Sequence, residues 1–137
     1  MAINWKAVLL GFVVMVIVGS VGGIVIPVVG TIGGGVVGGF IAGYIAGGGV
    51  WNGAWNGLVA GAYGGIVGAL LLSFLGMLVG SIAGPVGSLL GGASVFVLGS
   101  VVALLFAIPS GVAGALGGLL KGSPRERAVE PPQTPVR

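Results

Sequence analysis

Apolar positions run along this chain in four long stretches, separated by short breaks rich in glycine, asparagine, serine and proline. A helix crossing the hydrocarbon core of a bilayer needs about 20 predominantly apolar residues. The breaks leave four such candidates, at about residues 3–26, 31–48, 52–78 and 89–120. The first is expected to end at Pro27, which has no amide hydrogen and disfavours helix in the residue before it. Gly47 to Asn56 forms the second break, and a hinge from Gly80 to Ser88 with Pro85 inside it forms the third. Pro109 interrupts the last stretch. The pattern predicts one long helix kinked at Pro109, the alternative being a span at residues 92–108 followed by a short separate segment at 110–120.

Within these stretches the apolar residues sort by size. Gly53, Gly57, Gly61, Gly65, Ala69 and Ser73 recur at intervals of four. At 100° per residue, Gly57, Gly61, Gly64, Gly65 and Gly68 fall with Gly53 in an arc of about 120°, while Leu58, Val59, Tyr63, Ile66, Val67 and Leu70 fall outside it. The second stretch repeats this arrangement. There Gly34, Gly35, Gly38 and Gly39 share one side with Ala42 and Ala46, opposite Val37, Phe40, Ile41 and Tyr44. Gly114 and Gly118 continue the spacing near the end of the fourth. Faces of nearly bare backbone let helices approach closely, so these glycines are predicted to be helix-packing positions, with the second and third spans central. Ile26-Pro27 and Ile108-Pro109 each stand before a glycine-rich stretch, which suggests a faint duplication.

Charge sharpens the picture. Lys6 and Lys121 bracket a stretch, Ala7 to Leu120, that holds no Asp, Glu, Lys, Arg or His. A water-exposed surface is roughly a quarter charged, so a soluble fold is excluded. The apolar fraction of 56% and the mean hydropathy of +1.24 agree. The expected fold is an all-α integral membrane protein, a four-span bundle packed through glycine and occupying residues 1–121. Lys6 and the run Val18-Gly19-Ser20 also fit a secretory signal, but the apolar stretch continues through Ile26 and fits a span better. Residues 122–137 carry four prolines and almost no large apolar side chain, which predicts a disordered tail. The basic excess around and beyond Lys121 places that tail in the cytoplasm, and Lys6 puts the N-terminus there too, as four crossings require. Trp5, Trp51 and Trp55 are expected as interfacial anchors.

Candidate chemistry is sparse. With no cysteine and no histidine, the chain lacks thiolates, the commonest general base and the commonest metal ligands. Glu126 and Glu130, the only carboxylates, lie in the tail. The scattered serines have no positioned base and are expected to bond to a carbonyl one turn back. Gly33-x-Gly35-x-x-Gly38 matches the dinucleotide fingerprint as a string, without the strand, βαβ unit or acidic residue that motif needs. The expectation is a non-enzyme with no catalytic, cofactor or metal site and no nucleic-acid partner. Asn52 and Asn56, one turn apart, have two readings: a helix cap and turn at the interface, or a polar mouth that touches a solute.

The runs Trp5 to Val14, Gly38 to Gly49, Gly57 to Ile66 and Ile108-Pro109-Ser110 resemble an uncharacterised family of small membrane proteins of archaea, mainly haloarchaea. The resemblance covers roughly residues 5–120. It implies about four spans in a cytoplasmic membrane and carries no site residues. The expected role is a structural or interaction bundle that self-associates or packs with another membrane protein in the lipid bilayer. The alternative is a passive channel or facilitator for a neutral solute or ion.

Overall fold

The computed structural model describes residues 3–25 and 27–122. The tail beyond Gly122, for which disorder is expected, lies outside the described residues. Four helices follow in chain order: α1 (Trp5–Val25), α2 (Pro27–Ala46), α3 (Val50–Gly80) and α4 (Gly84–Lys121), with one 3-10 turn at Ser81–Ala83 between the last two. No strand occurs among the described residues. Trp5–Gly22 is long and apolar enough to cross a membrane, as is Val50–Lys121, which contains α3 and α4; the apolar run Ile32–Ala46 in α2 is shorter.

Two prolines open helices instead of closing them. Pro27 is the first residue of α2 and Pro85 stands in the first turn of α4, where a missing amide hydrogen costs nothing because the first turn has no intrahelical acceptor for it. The expected hinge from Gly80 to Ser88 therefore shrinks to a single turn, with Gly84 at φ 84° reversing the chain. Between α2 and α3, Gly47, Gly48 and Gly49 hold φ of 60°, 81° and 89°, a conformation L side chains rarely adopt. Pro109 lies inside α4, and the helix runs through it from Gly84 to Lys121. Residues 110–120 thus form no separate segment.

The helices alternate in direction as two hairpins, α1–α2 and α3–α4. The α3–α4 seam is the most extensive contact and α1–α2 the next; α2 bridges to α4 more than to α3, and α1 does not touch α4. α2 and α3 each touch all three other helices, whereas α4 packs on α2 and α3 alone, and the α3–α4 seam is the longest. Size is sorted in reverse of a water-soluble bundle. The buried apolar residues are Val8 and a set of alanines (Ala7, Ala42, Ala60, Ala69, Ala103, Ala107, Ala113), while leucine, isoleucine, phenylalanine and tryptophan side chains point outward.

Candidate functional site: a glycine junction and an amide chain at one end

Gly39 of α2, Gly57 of α3 and Gly114 of α4 meet backbone to backbone. A Cβ built on Gly114 would lie 2.5 Å from the Gly53 carbonyl oxygen, 2.7 Å from Gly57 Cα and 3.1 Å from the Gly39 carbonyl oxygen. One built on Gly57 would lie 2.7 Å from the Ser110 carbonyl oxygen and 2.8 Å from Gly114 Cα. Ser110, fully buried, donates its hydroxyl to the Gly57 carbonyl at 2.8 Å. Ser73 bonds one turn back within α3, to Leu70, and Ser81, just after α3, bonds back to Leu78. Ser110 departs from that expectation by bonding across helices, because the bare face of α3 brings a carbonyl within its reach.

The other expected packing positions divide. Gly34 faces Met15 and Gly19, Gly38 faces Gly11 and Met15, Gly61 faces Ser110 and Ala107, Gly65 faces Ala103, and Gly118 faces Gly49 and Gly53. Gly64 meets only the ends of the Met15 and Phe12 side chains. Gly35 and Gly68 have no heavy atom within 4 Å of a built Cβ, so the structure places both away from any helix contact. By angle both lie inside their glycine arcs, so position around the helix alone does not decide which glycine meets a neighbour.

Several close approaches fall on glycines that the face analysis passed over. Gly43 abuts Gly114, Gly117 abuts the α2 backbone at Phe40 and Tyr44, and Gly11 abuts Gly38. Along the far part of α3–α4, Gly76 faces Gly91 and Gly80 faces Gly87. The signal was present: Gly76 and Gly80, then Gly87 and Gly91, are glycine pairs four apart on either side of a turn.

The polar side chains gather at one end of the bundle. Asn4 precedes α1, and its Oδ1 accepts the Ala7 amide at 3.3 Å, an N-cap bond. The Asn4 amide hydrogen goes in turn to Asn56 Oδ1 at 2.8 Å. In a capping box the third helical residue supplies that second acceptor; here it comes from α3, so one helix completes the cap of another. Asn56 Nδ2 donates to the Asn52 carbonyl at 2.9 Å, and Asn52 Nδ2 donates to the Gly47 carbonyl at 2.8 Å. Asn56 is fully buried and Asn52 half-buried. These bonds tie both side chains to backbone groups at the start of α1, in α3 and in the α2–α3 turn. Asn4 ahead of the apolar run is a residue type that starts helices, whereas nothing in the sequence marks its partner 52 residues away.

Lys121 closes the same end. Its Nζ donates to the Ile45 carbonyl at 2.8 Å, in the last turn of α2, and lies 5.8 Å from the centre of the Tyr44 ring. It is also the last residue of α4, so one cation serves two helix C-termini, where the backbone dipoles favour positive charge. Trp5, Trp51 and Trp55, all exposed, stand at this end too. Phe12 and Tyr63 pack edge to face at 5.5 Å a little further along. Outside the bundle a groove of about 530 Å³ runs between α3 and α4, lined by apolar residues including Trp51, Trp55, Leu58, Ile108 and Val112. Among the described residues no three metal-ligating side chains lie together.

The family of unknown function DUF5518 matches residues 5–120, and the chain belongs to it. No curated protein and no solved structure matches the chain.

Proposed function

We propose that this DUF5518 member is a non-enzymatic four-span membrane protein, a packing module that self-associates or packs against another membrane protein. The observation that carries the proposal is the meeting of Gly39, Gly57 and Gly114 without intervening side chains, while large apolar residues cover the outside. Water would not tolerate that surface; lipid does. In lipid no hydrophobic force draws helices together, so close backbone packing and interhelical hydrogen bonds such as Ser110 to Gly57 take over.

Lys6 and Lys121 at one end, with the three tryptophans, support a topology with both ends cytoplasmic. Pro109 cannot donate to the carbonyl four residues back, which supports a kink in α4 at that point. Archaeal origin rests on the resemblance of the sequence runs alone. The tight junction and the internally bonded Asn52 and Asn56 favour packing over conduction.

The test is reconstitution of the full chain in sealed vesicles, with flux of small ions and neutral solutes compared against empty vesicles, and oligomeric mass measured in detergent. Tight vesicles and a self-associated species are expected. Selective, protein-dependent flux would overturn the proposal in favour of a channel.

A further inference from the structure

The two hairpins differ in length. At 1.5 Å per residue, α1 and α2, with 21 and 20 residues, are about 32 and 30 Å long. By the same rise α3 and α4, with 31 and 38 residues, are about 46 and 57 Å long. All four helices share one end, marked by the Asn4–Asn56 and Lys121–Ile45 bonds. The α3–α4 hairpin therefore carries an arm with no counterpart in α1–α2.

Contacts between the hairpins are concentrated toward the shared end. From α1 they involve Asn4 with Asn56, Phe12 with Tyr63, and Met15 with Gly64; from α2 they involve Gly39 with Ser110, Gly43 with Gly114, and Ile45 with Lys121. Further out, Gly33, Gly35 and Gly68 face open space, and the glycines of α3 approach only α4. The arm itself is closed to its tip by Gly76 against Gly91 and Gly80 against Gly87, so it moves as one rigid pair.

Apart from the serines, the arm is apolar. From Gly64 to Leu120 there is no charged residue, tryptophan or tyrosine. Leu71, Phe74, Leu78, Val79, Val86 and Leu98 are exposed along it, and Ile82 at the tip is 90% exposed. A hydrocarbon core about 30 Å thick matches α1–α2 standing upright. An upright arm would push these side chains past the far headgroups.

We infer that the α3–α4 hairpin lies steeply inclined within the bilayer while α1–α2 stands upright, so that the partner of the arm is lipid hydrocarbon along its whole length. An overlong apolar segment accommodates by tilting or by thickening the bilayer around it. Counted from Asn56, level with the start of α1, α3 runs about 38 Å and fits the hydrocarbon by a tilt of about 37°, the upper end of the usual range. The chain thereby becomes sensitive to bilayer thickness, through an arm whose outer part α1–α2 does not contact. This inference rests on the membrane-spanning reading above.

The sequence has no cysteine, so single nitroxide labels can be placed on the full chain by Leu78→Cys and Leu89→Cys toward the tip of the arm and, on α1, Ile17→Cys, all at exposed positions. Reconstituted in vesicles of short, intermediate and long monounsaturated lipids, each label is read by its collisions with oxygen and with a water-soluble nickel chelate. Labels at 78 and 89 are expected to be shielded from nickel, as the one at 17 is, with shielding that deepens as the lipid lengthens. Nickel access at 78 and 89 with shielding kept at 17 would overturn the inference, leaving a projecting arm available to a docking partner. Nickel access at all three positions would overturn the membrane-spanning reading, and the inference with it.

Discussion

Adding one methyl group at Gly114 probes the centre of the fold. The Cβ of Gly114→Ala would stand 2.5 Å from the Gly53 carbonyl oxygen, 2.7 Å from Gly57 Cα and 3.1 Å from the Gly39 carbonyl oxygen. Ordinary contact begins near 3.4 Å, so α4 must withdraw from α3 by about 1 Å, and from α2 by less. All three neighbours are backbone, and none can rotate aside. Overpacking of this kind costs about 1–3 kcal/mol. The value here belongs at the upper end, because the withdrawal also stretches the Ser110–Gly57 bond and opens the Gly43 approach. The better helix propensity of alanine returns at most about 1 kcal/mol. The net expectation is a loss of about 2 kcal/mol, roughly a 30-fold fall in the folding equilibrium constant.

The same substitution elsewhere supplies the controls. Gly68→Ala meets nothing within 4 Å and is expected to be neutral or to gain up to about 1 kcal/mol. Gly64→Ala meets the Met15 methyl, the end of a flexible side chain, and should cost about 1 kcal/mol or less. The assay is reversible unfolding of the full chain in mixed micelles, titrated with anionic detergent and followed by energy transfer between labels on α2 and α4. A Gly114→Ala midpoint equal to wild type would refute the junction. So would a Gly68→Ala loss as large as that of Gly114→Ala, since chemistry would then matter and location would not.

Two further outcomes follow from the polar side chains. Asn56→Leu removes the acceptor of the Asn4 amide and a donor to Asn52; a loss of about 1–3 kcal/mol is expected in the same unfolding assay, with faster hydrogen exchange at Asn4 and at the first turn of α1. Exchange unchanged there would show that α1 does not depend on α3 for its cap. Ser110→Ala removes a single interhelical bond to a carbonyl on a glycine helix, and the expected cost is about 0.6 kcal/mol; a cost above that of Gly114→Ala would mean that the hydroxyl, not close packing, holds α4 to α3.

Much of the architecture was legible because composition and period speak directly about solvent and face. The charge-free run from Ala7 to Leu120 predicted apolar helices throughout, and the four-residue spacing through Gly53, Gly57, Gly61 and Gly65 marked a face that meets α4. Helix ends were read less well. Pro27 and Pro85 looked like breaks, yet a proline at the start of a helix has the same sequence signature as one that stops it. Partner choice was not legible at all. A bare face states that a neighbour comes close, while depth along the bundle decides which neighbour. Gly39 meets Ser110 and Gly57 meets Gly114 because α2, α3 and α4 expose small residues at one height above the shared end. The Asn4–Asn56 and Lys121–Ile45 bonds at the shared end, each spanning more than 50 positions, are consistent with that common level. Periodicity within one helix carries no information about such a level, so Gly35 and Gly68, equal to their neighbours in the pattern, were left facing open space by the geometry between the helices.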